Sequence, residues 1–273
     1  MNKIISNMNK NGCVYKSLSF VYRHFYNPLI SGRFKYMIKY NVIYRRKEIK
    51  RMKALGFDNI KPFNKNSWRI GRHIDKVERR YYTADFSGKK VFVKIAKNDL
   101  TTRNEIDIYK RLKEYNFDFA PMCIMSDLNF SKDDTVLLAN EYVDGLKTIE
   151  PQNANFEHIC ESFNNVLDNM YALGLVHADI HKGNLMLDSN DNIILMDFGI
   201  SCFTAVGNSV NYVTRPGTFY KQDGDFRIYD DAFSFLRMID GLCTDHSVEL
   251  TEQYKLIKQK VGRISWNVDL SIF

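Results

Sequence analysis

The feature that most constrains this chain is the segment 175–200, L-V-H-A-D-I-H-K-G-N-L-M-L-D-S-N-D-N-I-I-L-M-D-F-G-I. It sets Asn184 five residues after Asp179 and ends on Asp197-Phe198-Gly199. Leu185-Met186-Leu187 and Ile193-Ile194-Leu195-Met196 are two short apolar runs joined by the polar stretch 188–192. That pattern predicts a hairpin with polar turn chemistry. A hairpin brings Asn184, at its start, beside Asp197, at its end, and so offers two oxygen ligands to one hard cation. Upstream, Phe156, Ile159, Phe163, Val166, Leu167, Met170 and Tyr171 fall at helical spacing, and Gly174 follows as a C-cap candidate. The spacing predicts a helix over 156–173 that delivers the chain into a loop carrying His177-x-Asp179.

The order Asp179, Asn184, Asp197-Phe-Gly resembles the catalytic signature of the protein-kinase-like superfamily. The wording H-A-D-I-H-K-G-N looks more like kinases of sugars, antibiotics and lipopolysaccharide core sugars, and like some atypical protein kinases. The resemblance implies an α+β, two-lobed protein-kinase-like fold with a small antiparallel-sheet lobe and a compact, mainly helical lobe. It implies ATP and Mg2+ as cofactors, Asp179 as the base, and Asn184 and Asp197 as metal ligands. On this division, residues 1–60 are an N-terminal extension, 61–145 the small lobe and 146–273 the large lobe.

The small lobe is expected to contain strands over 68–74, 77–86 and 90–96, with Ser87-Gly88 as a turn. Val91-Phe-Val-Lys94-Ile matches the strand whose lysine contacts the α- and β-phosphates in the resembled family. The plainer reading of Lys94 is a solvent-facing strand lysine, against which its apolar neighbours argue. Residues 101–115 predict a helix with Ile106, Tyr109 and Leu112 inward. Glu105 is the candidate partner of Lys94. Thr102-x-x-Glu105 is also a capping box, which would occupy Glu105 with backbone unless the helix starts earlier, near Asp99. Of the family's glycine-rich loop only Gly71 is present, so phosphate contact would fall to Arg72, His73 or Lys76. The run from Thr135 to Gly145 reads as a buried strand with a polar exit, where the backbone of Glu141 and Val143 would receive adenine.

Past the catalytic stretch, Ala178 stands where the family carries an arginine that receives an activation-loop phosphate. Phosphorylation through that residue is therefore not expected. His181 or Lys182 could stabilise charge on a transferred phosphoryl, Lys182 being equally well read as a solvated loop residue. His177 reads as packing the loop from behind. Residues 201–225 resemble an activation segment. Asp231 resembles the aspartate that holds the catalytic loop's backbone, and it also reads as a plain N-cap. About thirty residues follow 245, with one amphipathic helix bearing Leu250, Tyr254, Ile257 and Val261.

Charge separates the N-terminus from the rest. Residues 1–60 hold 13 Lys and Arg against 2 Asp and Glu, while residues 61–273 hold 26 against 30. The body is thus mildly acidic, which argues against nucleic acid as its partner. Between Tyr15 and Arg46, aromatic and basic residues interleave. Three readings stand: an amphipathic helix pair on an anionic membrane, stacking and charge contacts to RNA, or helices packed on the small lobe or docked to a partner. The membrane reading puts the chain in the cytoplasm, peripheral to an inner membrane face through residues 14–53. Five cysteines, odd in number and with no C-x-x-C, point to a reduced compartment without structural zinc. There is no apolar signal segment, and no G-x-x-x-x-G-K-[ST], which excludes a P-loop enzyme. The acceptor hydroxyl is expected on a sugar of a membrane glycolipid, as for heptose kinases. A serine/threonine protein kinase is the next alternative, and a non-catalytic pseudokinase scaffold, motivated by the missing glycines, is the last.

Overall fold

The computed structural model describes residues 45–63, 68–70, 77–131, 134–204, 219–223, 226–243, 247–264 and 266–269. Gly71 and the aromatic-basic stretch up to Tyr44 lie outside the described residues, as does most of 201–225. The architecture is α+β, with antiparallel strands and helices, consistent with a kinase-like fold. Contacts divide the chain into two units. Residues up to Lys89 with Lys94–Ala96 form one, and Lys90–Val93 with everything from Lys97 form the other.

In the first unit, helix α1 (Arg45–Ala54) buries Glu48 and Met52 and leaves most of its basic side chains outside. Strand β1 (Phe57–Pro62) pairs antiparallel with the Tyr82–Phe86 part of β3 (Val77–Phe86), and β2 (Trp68–Ile70) pairs antiparallel with its Val77–Arg80 part. The register sets Phe57 opposite Phe86, with ring centroids 4.6 Å apart. Beneath them, the Glu48 carboxylate takes an ion pair from buried Arg80 and a 2.8 Å hydrogen bond from the Tyr82 hydroxyl. Burying a carboxylate without such donors would be costly, so this triad fixes α1 on the strand. Strand β4 (Lys89–Lys97), whose residues are divided between the two units, follows the Ser87-Gly88 turn, where both residues have positive φ, as a two-residue type I′ hairpin requires.

The second unit opens with α2 (Leu100–Glu114). Its N-cap is Asp99, whose carboxylate accepts the Thr102 N–H at 2.9 Å. The helix therefore starts earlier than a Thr102 capping box would place it, and Glu105 is not part of the cap. Strands β5 (Cys123–Ser131) and β6 (Thr135–Glu141) form an antiparallel hairpin, followed by the short β7 (Lys147–Thr148). Helix α3 (Phe156–Leu173) is capped by the Asn155 side chain and closed by Gly174 at φ 64°, a left-handed position that suits glycine. Its stripe packs Phe163 flat on Phe235, with centroids 3.8 Å apart. Phe235 belongs to α4 (Asp231–Leu242), and α5 (Glu252–Lys260) adds Tyr254 and Ile257 to the same core. Leu250, expected on the apolar face of that last helix, is 76% exposed. It sits in a 3-10 turn before Thr251, and Thr251 is the residue that caps α5.

Between α3 and α4 run β8 (Leu175–Val176), β9 (Leu185–Leu187), β10 (Ile193–Leu195) and β11 (Cys202–Phe203). β9 and β10 pair antiparallel as the hairpin pattern predicts, β7 adds to β9, and β8 pairs with β11. The hairpin turn is tied by Asp188, whose Oδ1 accepts the N–H groups of Asn190 and Asn192 at 2.8 Å each. β12 (Phe219–Asp223), β13 (Phe226–Tyr229) and β14 (Trp266–Asp269) form a further antiparallel sheet. Cys123, Cys160, Cys202 and Cys243 are buried free thiols, and burial pushes Cys160 and Cys202 up to about 12. They act as small core side chains.

Candidate active site

The loop after β8 is held from behind by α4. The N–H groups of His177 and Ala178 donate to the two carboxylate oxygens of Asp231, at 2.6 and 2.9 Å. The capping of α4 falls to its neighbour Asp230, whose Oδ1 accepts the Phe233 N–H at 2.7 Å. Asp231 is buried, and burial outweighs its two amide donors and pushes it up to about 7.

His177 is fully buried and each of its polar groups has a partner. Its Nε2 lies 3.0 Å from the Met196 carbonyl and its Nδ1 accepts the Asp179 N–H at 3.3 Å, which assigns the neutral tautomer with hydrogen on Nε2. Its own carbonyl accepts the Ser201 hydroxyl at 2.9 Å. Burial pushes its pKa down, against the pull of Asp179 and Asp197. His177 is thus a structural tie, and its ring lies 4.8 Å from that of Phe198.

Asp179 and Asn184 come together. The Asn184 amide nitrogen donates to the Asp179 carbonyl at 3.0 Å and to its carboxylate Oδ2 at 3.1 Å. With its nitrogen committed there, the amide presents its oxygen elsewhere. His181 Nε2 stands 3.7 Å from the same Oδ2, an ion-pair distance rather than a hydrogen bond. The imidazole is turned that way because its Nδ1 accepts the Gly183 N–H at 2.9 Å. Burial alone would raise the Asp179 carboxyl, but the facing His181 and His177 rings outweigh it and hold Asp179 below its ordinary value. The group therefore stays an anion at neutral pH.

Where β10 finishes, beside the start of β9, the Met196 N–H bonds to the Asn184 carbonyl at 2.9 Å. That bond ties the residue before Asp197 to Asn184, as the hairpin reading requires. Asp197 itself has φ 62°, in the left-handed region. The next residue, Phe198, is fully buried, with its ring edge-on to Tyr109 of α2 at 5.1 Å. The Tyr109 phenol hydrogen-bonds the backbone of Asp197, and burial followed by Glu105 and Asp197 pushes its pKa well up. Glu105 is 3% exposed on the same helix. Lys94 is 7% exposed within β4, in the first unit. The Glu141 N–H is spent on the Met122 carbonyl at 2.8 Å, Val143 is half-buried, and the Asn140 side-chain oxygen is buried with no partner among the described residues.

Sequence reasoning missed Asn104, which contacts the Asp-Phe-Gly turn from α2. It also did not single out Ser201 as a tie to His177. The available signal for Asn104 was a carboxamide one helical turn before Ile108 on the inward face.

The fold is α+β, and the second unit brings together the loop from Asp179 to Asn184 and the Asp197 turn, which flank one hairpin, with two helices behind them. The ABC1 atypical kinase-like domain family matches residues 129–225, the part that carries this hairpin. The chain is 25% identical over 223 residues to the Dictyostelium discoideum protein named "Probable serine/threonine-protein kinase mkcE", covering 72% of this chain and 30% of that one. It is 24% identical over 141 residues to the CTD kinase subunit alpha of Schizosaccharomyces pombe, covering 49% and 23%. To the dual specificity protein kinase zakA of Dictyostelium discoideum it is 26% identical over 157 residues, covering 50% and 19%. The chain spans less than a third of the length of these relatives. Together the matches support a protein-kinase-like superfamily and, with it, a phosphotransferase.

Proposed function

We propose that this chain transfers the γ-phosphoryl of Mg-ATP to a hydroxyl group. The observation that carries the reading is the Asp179–Asn184 pairing where the hairpin starts, with Met196, the residue before Asp197, tied to Asn184 by a backbone bond where it finishes. Among the described residues no cluster of three His, Cys, Asp or Glu could hold a metal alone. Mg2+ suits such a place because it takes few protein oxygens and fills its shell with phosphate and water. The Asn184 amide oxygen and the Asp197 carboxylate would hold it, and the bound ion would neutralise charge on the phosphates. Asp179, kept anionic, would orient the acceptor hydroxyl and take its proton. His181, with a hydrogen on Nε2, would stand at the same carboxylate. Lys94, buried in β4, and Glu105 of α2 keep the phosphate-contacting and supporting roles that the resemblance gives them. The unpaired Asn140 oxygen, just before Glu141 and Val143, would suit an exocyclic amine of the base.

For the acceptor, the H-A-D-I-H-K-G-N wording favours a sugar of a membrane glycolipid, with the basic residues of 14–53 meeting the anionic surface. The relatives' names favour a serine or threonine of a protein, and that is the second reading. No described helix is long and apolar enough to cross a membrane. The test is transfer of labelled γ-phosphate from Mg-ATP, offered glycolipid extract and protein lysate in parallel, with Asp197→Ala and Asp179→Asn as controls. Label in glycolipid, lost in both controls, supports the first acceptor, and label in protein the second. Nucleotide binding without label in either would replace the enzyme with a scaffold.

A further inference from the structure

Four contacts from α2 converge on the turn that carries Asp197. The Thr101 methyl lies where a Cβ on Gly199 would come within 2.6 Å of it, so helix and turn are in close contact. Tyr109 supplies its ring to Phe198 and its phenol to the Asp197 backbone. The fourth contact is directional and polar. Asn104, 5% exposed, aims its amide nitrogen at three carbonyls of the turn, those of Ser201 at 2.9 Å, Gly199 at 3.1 Å and Phe198 at 3.4 Å. An amide nitrogen has two hydrogens, so the three acceptors share two donors.

A side chain placed only to fill this core position would be apolar, since a buried carboxamide costs free energy unless its bonds are made. Here the bonds made are all to the backbone that follows Asp197. That backbone needs holding. A non-glycine residue at φ 62° persists only where its surroundings over-determine it, and three carbonyls turned to one point leave the chain few other paths. Ser201 extends the hold, because its hydroxyl in turn binds the His177 carbonyl in the loop before Asp179.

We infer that Asn104 is a positioning residue that sets the Asp197 carboxylate from helix α2. The cation site is then assembled by the fold, without modification of the segment after the turn. The inference rests on the reading of Asp197 as a cation ligand, and its test separates the two.

Asn104→Leu keeps the volume and removes the donors, and Asn104→Asp keeps the shape and sets an acceptor against three carbonyls. Asn164→Leu is the control: Asn164 is equally buried, on α3, and bonds Gln253 instead. Amide hydrogen exchange over 197–203 in the ligand-free full chain should rise in both Asn104 variants and not in the control. The Mg2+ concentration for half-maximal ATP binding should rise about 10-fold or more in the Asn104 variants, the usual effect of losing a residue that orients a metal ligand. The control should lower the melting temperature and leave that constant unmoved. Should Asn104→Leu fail to fold, Asn104→Ser, which shortens the donor's reach, carries the same two readouts. Unchanged exchange over 197–203 would overturn the proposal, leaving Asn104 a core residue only. Faster exchange with no Mg2+-dependent binding even in the unaltered chain would keep the clamp and refute Asp197 as the ligand.

Discussion

Asp231 offers a prediction whose sign runs against intuition. Its carboxylate accepts two loop N–H groups, at 2.6 and 2.9 Å, and yet burial pushes its pKa up to about 7. An aspartate in an unfolded chain titrates near 3.9. Between about pH 4 and pH 7 the folded protein therefore keeps a proton that the unfolded chain has lost. This group's contribution to stability is fully present below that window and is lost as pH rises to about 7. Asp231→Asn removes the titration and keeps a neutral side chain of the same shape. From pH 5 to pH 8 the variant should gain on the unaltered protein by about 3 kcal/mol, which is roughly two units of pH at 1.36 kcal/mol each, with little change above pH 7.

The offset at pH 5 should be small, because protonated aspartic acid and asparagine each present one carbonyl oxygen. In the variant one of the two loop N–H groups lacks a full acceptor at every pH, as it does beside the protonated aspartic acid at pH 5, so this cost of about 1–3 kcal/mol does not alter the slope. At pH 8 the variant should be as stable as the unaltered protein, or more so, while its transfer rate falls because the loop bearing Asp179 loses half its hold. Urea unfolding at pH 5, 6, 7 and 8 with both proteins measures the slope. Parallel pH curves would refute the reasoning, since they would mean that Asp231 titrates alike in the folded and unfolded chains.

Two other substitutions test separate parts of the molecule. A Cβ at Gly183 would lie 2.9 Å from Cε1 and 3.1 Å from Nδ1 of His181, so Gly183→Ala should swing that ring off Asp179. We expect steady-state transfer to slow by up to about tenfold, one interaction of about 1.4 kcal/mol, with the melting temperature held within about 2 °C because the site is at the surface. An unchanged rate would deny His181 any part. In the first unit, Glu48→Ala strips buried Arg80 of its ion-pair partner and Tyr82 of its acceptor, and should cost about 3–5 kcal/mol in denaturant unfolding. Glu48→Gln keeps an acceptor for Tyr82 and should cost less; equal losses would show that the hydroxyl bond contributes nothing.

The parts of the fold that could be read in advance are those whose causes are local. The helix that carries Phe163 was legible from its own apolar spacing and from its stop at Gly174. The hairpin from Leu185 to Leu195 is likewise fixed by its apolar runs and by Asp188 between them. The start of α2 was ambiguous, because Asp99 and the Thr102-x-x-Glu105 box both signal a cap. The Asn98 N–H bond to the Asp134 carbonyl, 2.9 Å long, anchors the chain just before Asp99 and so favours the earlier start. That contact joins residues far apart in sequence, and no local pattern foretells it. Leu250 failed for a related reason. Its spacing fits the face of α5, but the helix begins only after Thr251, and the preceding turn points Leu250 to solvent. Asn104 was hidden most deeply, since its partners lie more than ninety residues on.

The two ends of the site share one physical arrangement. Ala178, next to Asp179, has φ 62°, and so does Asp197. Each left-handed non-glycine position stores about 1–3 kcal/mol of strain. Each is held by a buried polar side chain on a distant helix, Asp231 of α4 on the Ala178 N–H and Asn104 of α2 on the carbonyls after Asp197. His177 joins them, since its backbone binds both Asp231 and Ser201 and its ring contacts Phe198. The consequence is a division of labour. The loop and hairpin supply the reactive side chains but could not keep this geometry alone, because the strain would release it. The helices supply no reactive group of the hairpin and instead hold the bent backbone from two directions. Loss of either clamp should therefore let one end of the site relax while the other stays in place, so that Asp231→Asn alters the loop of Asp179 and Asn104→Leu alters the turn of Asp197.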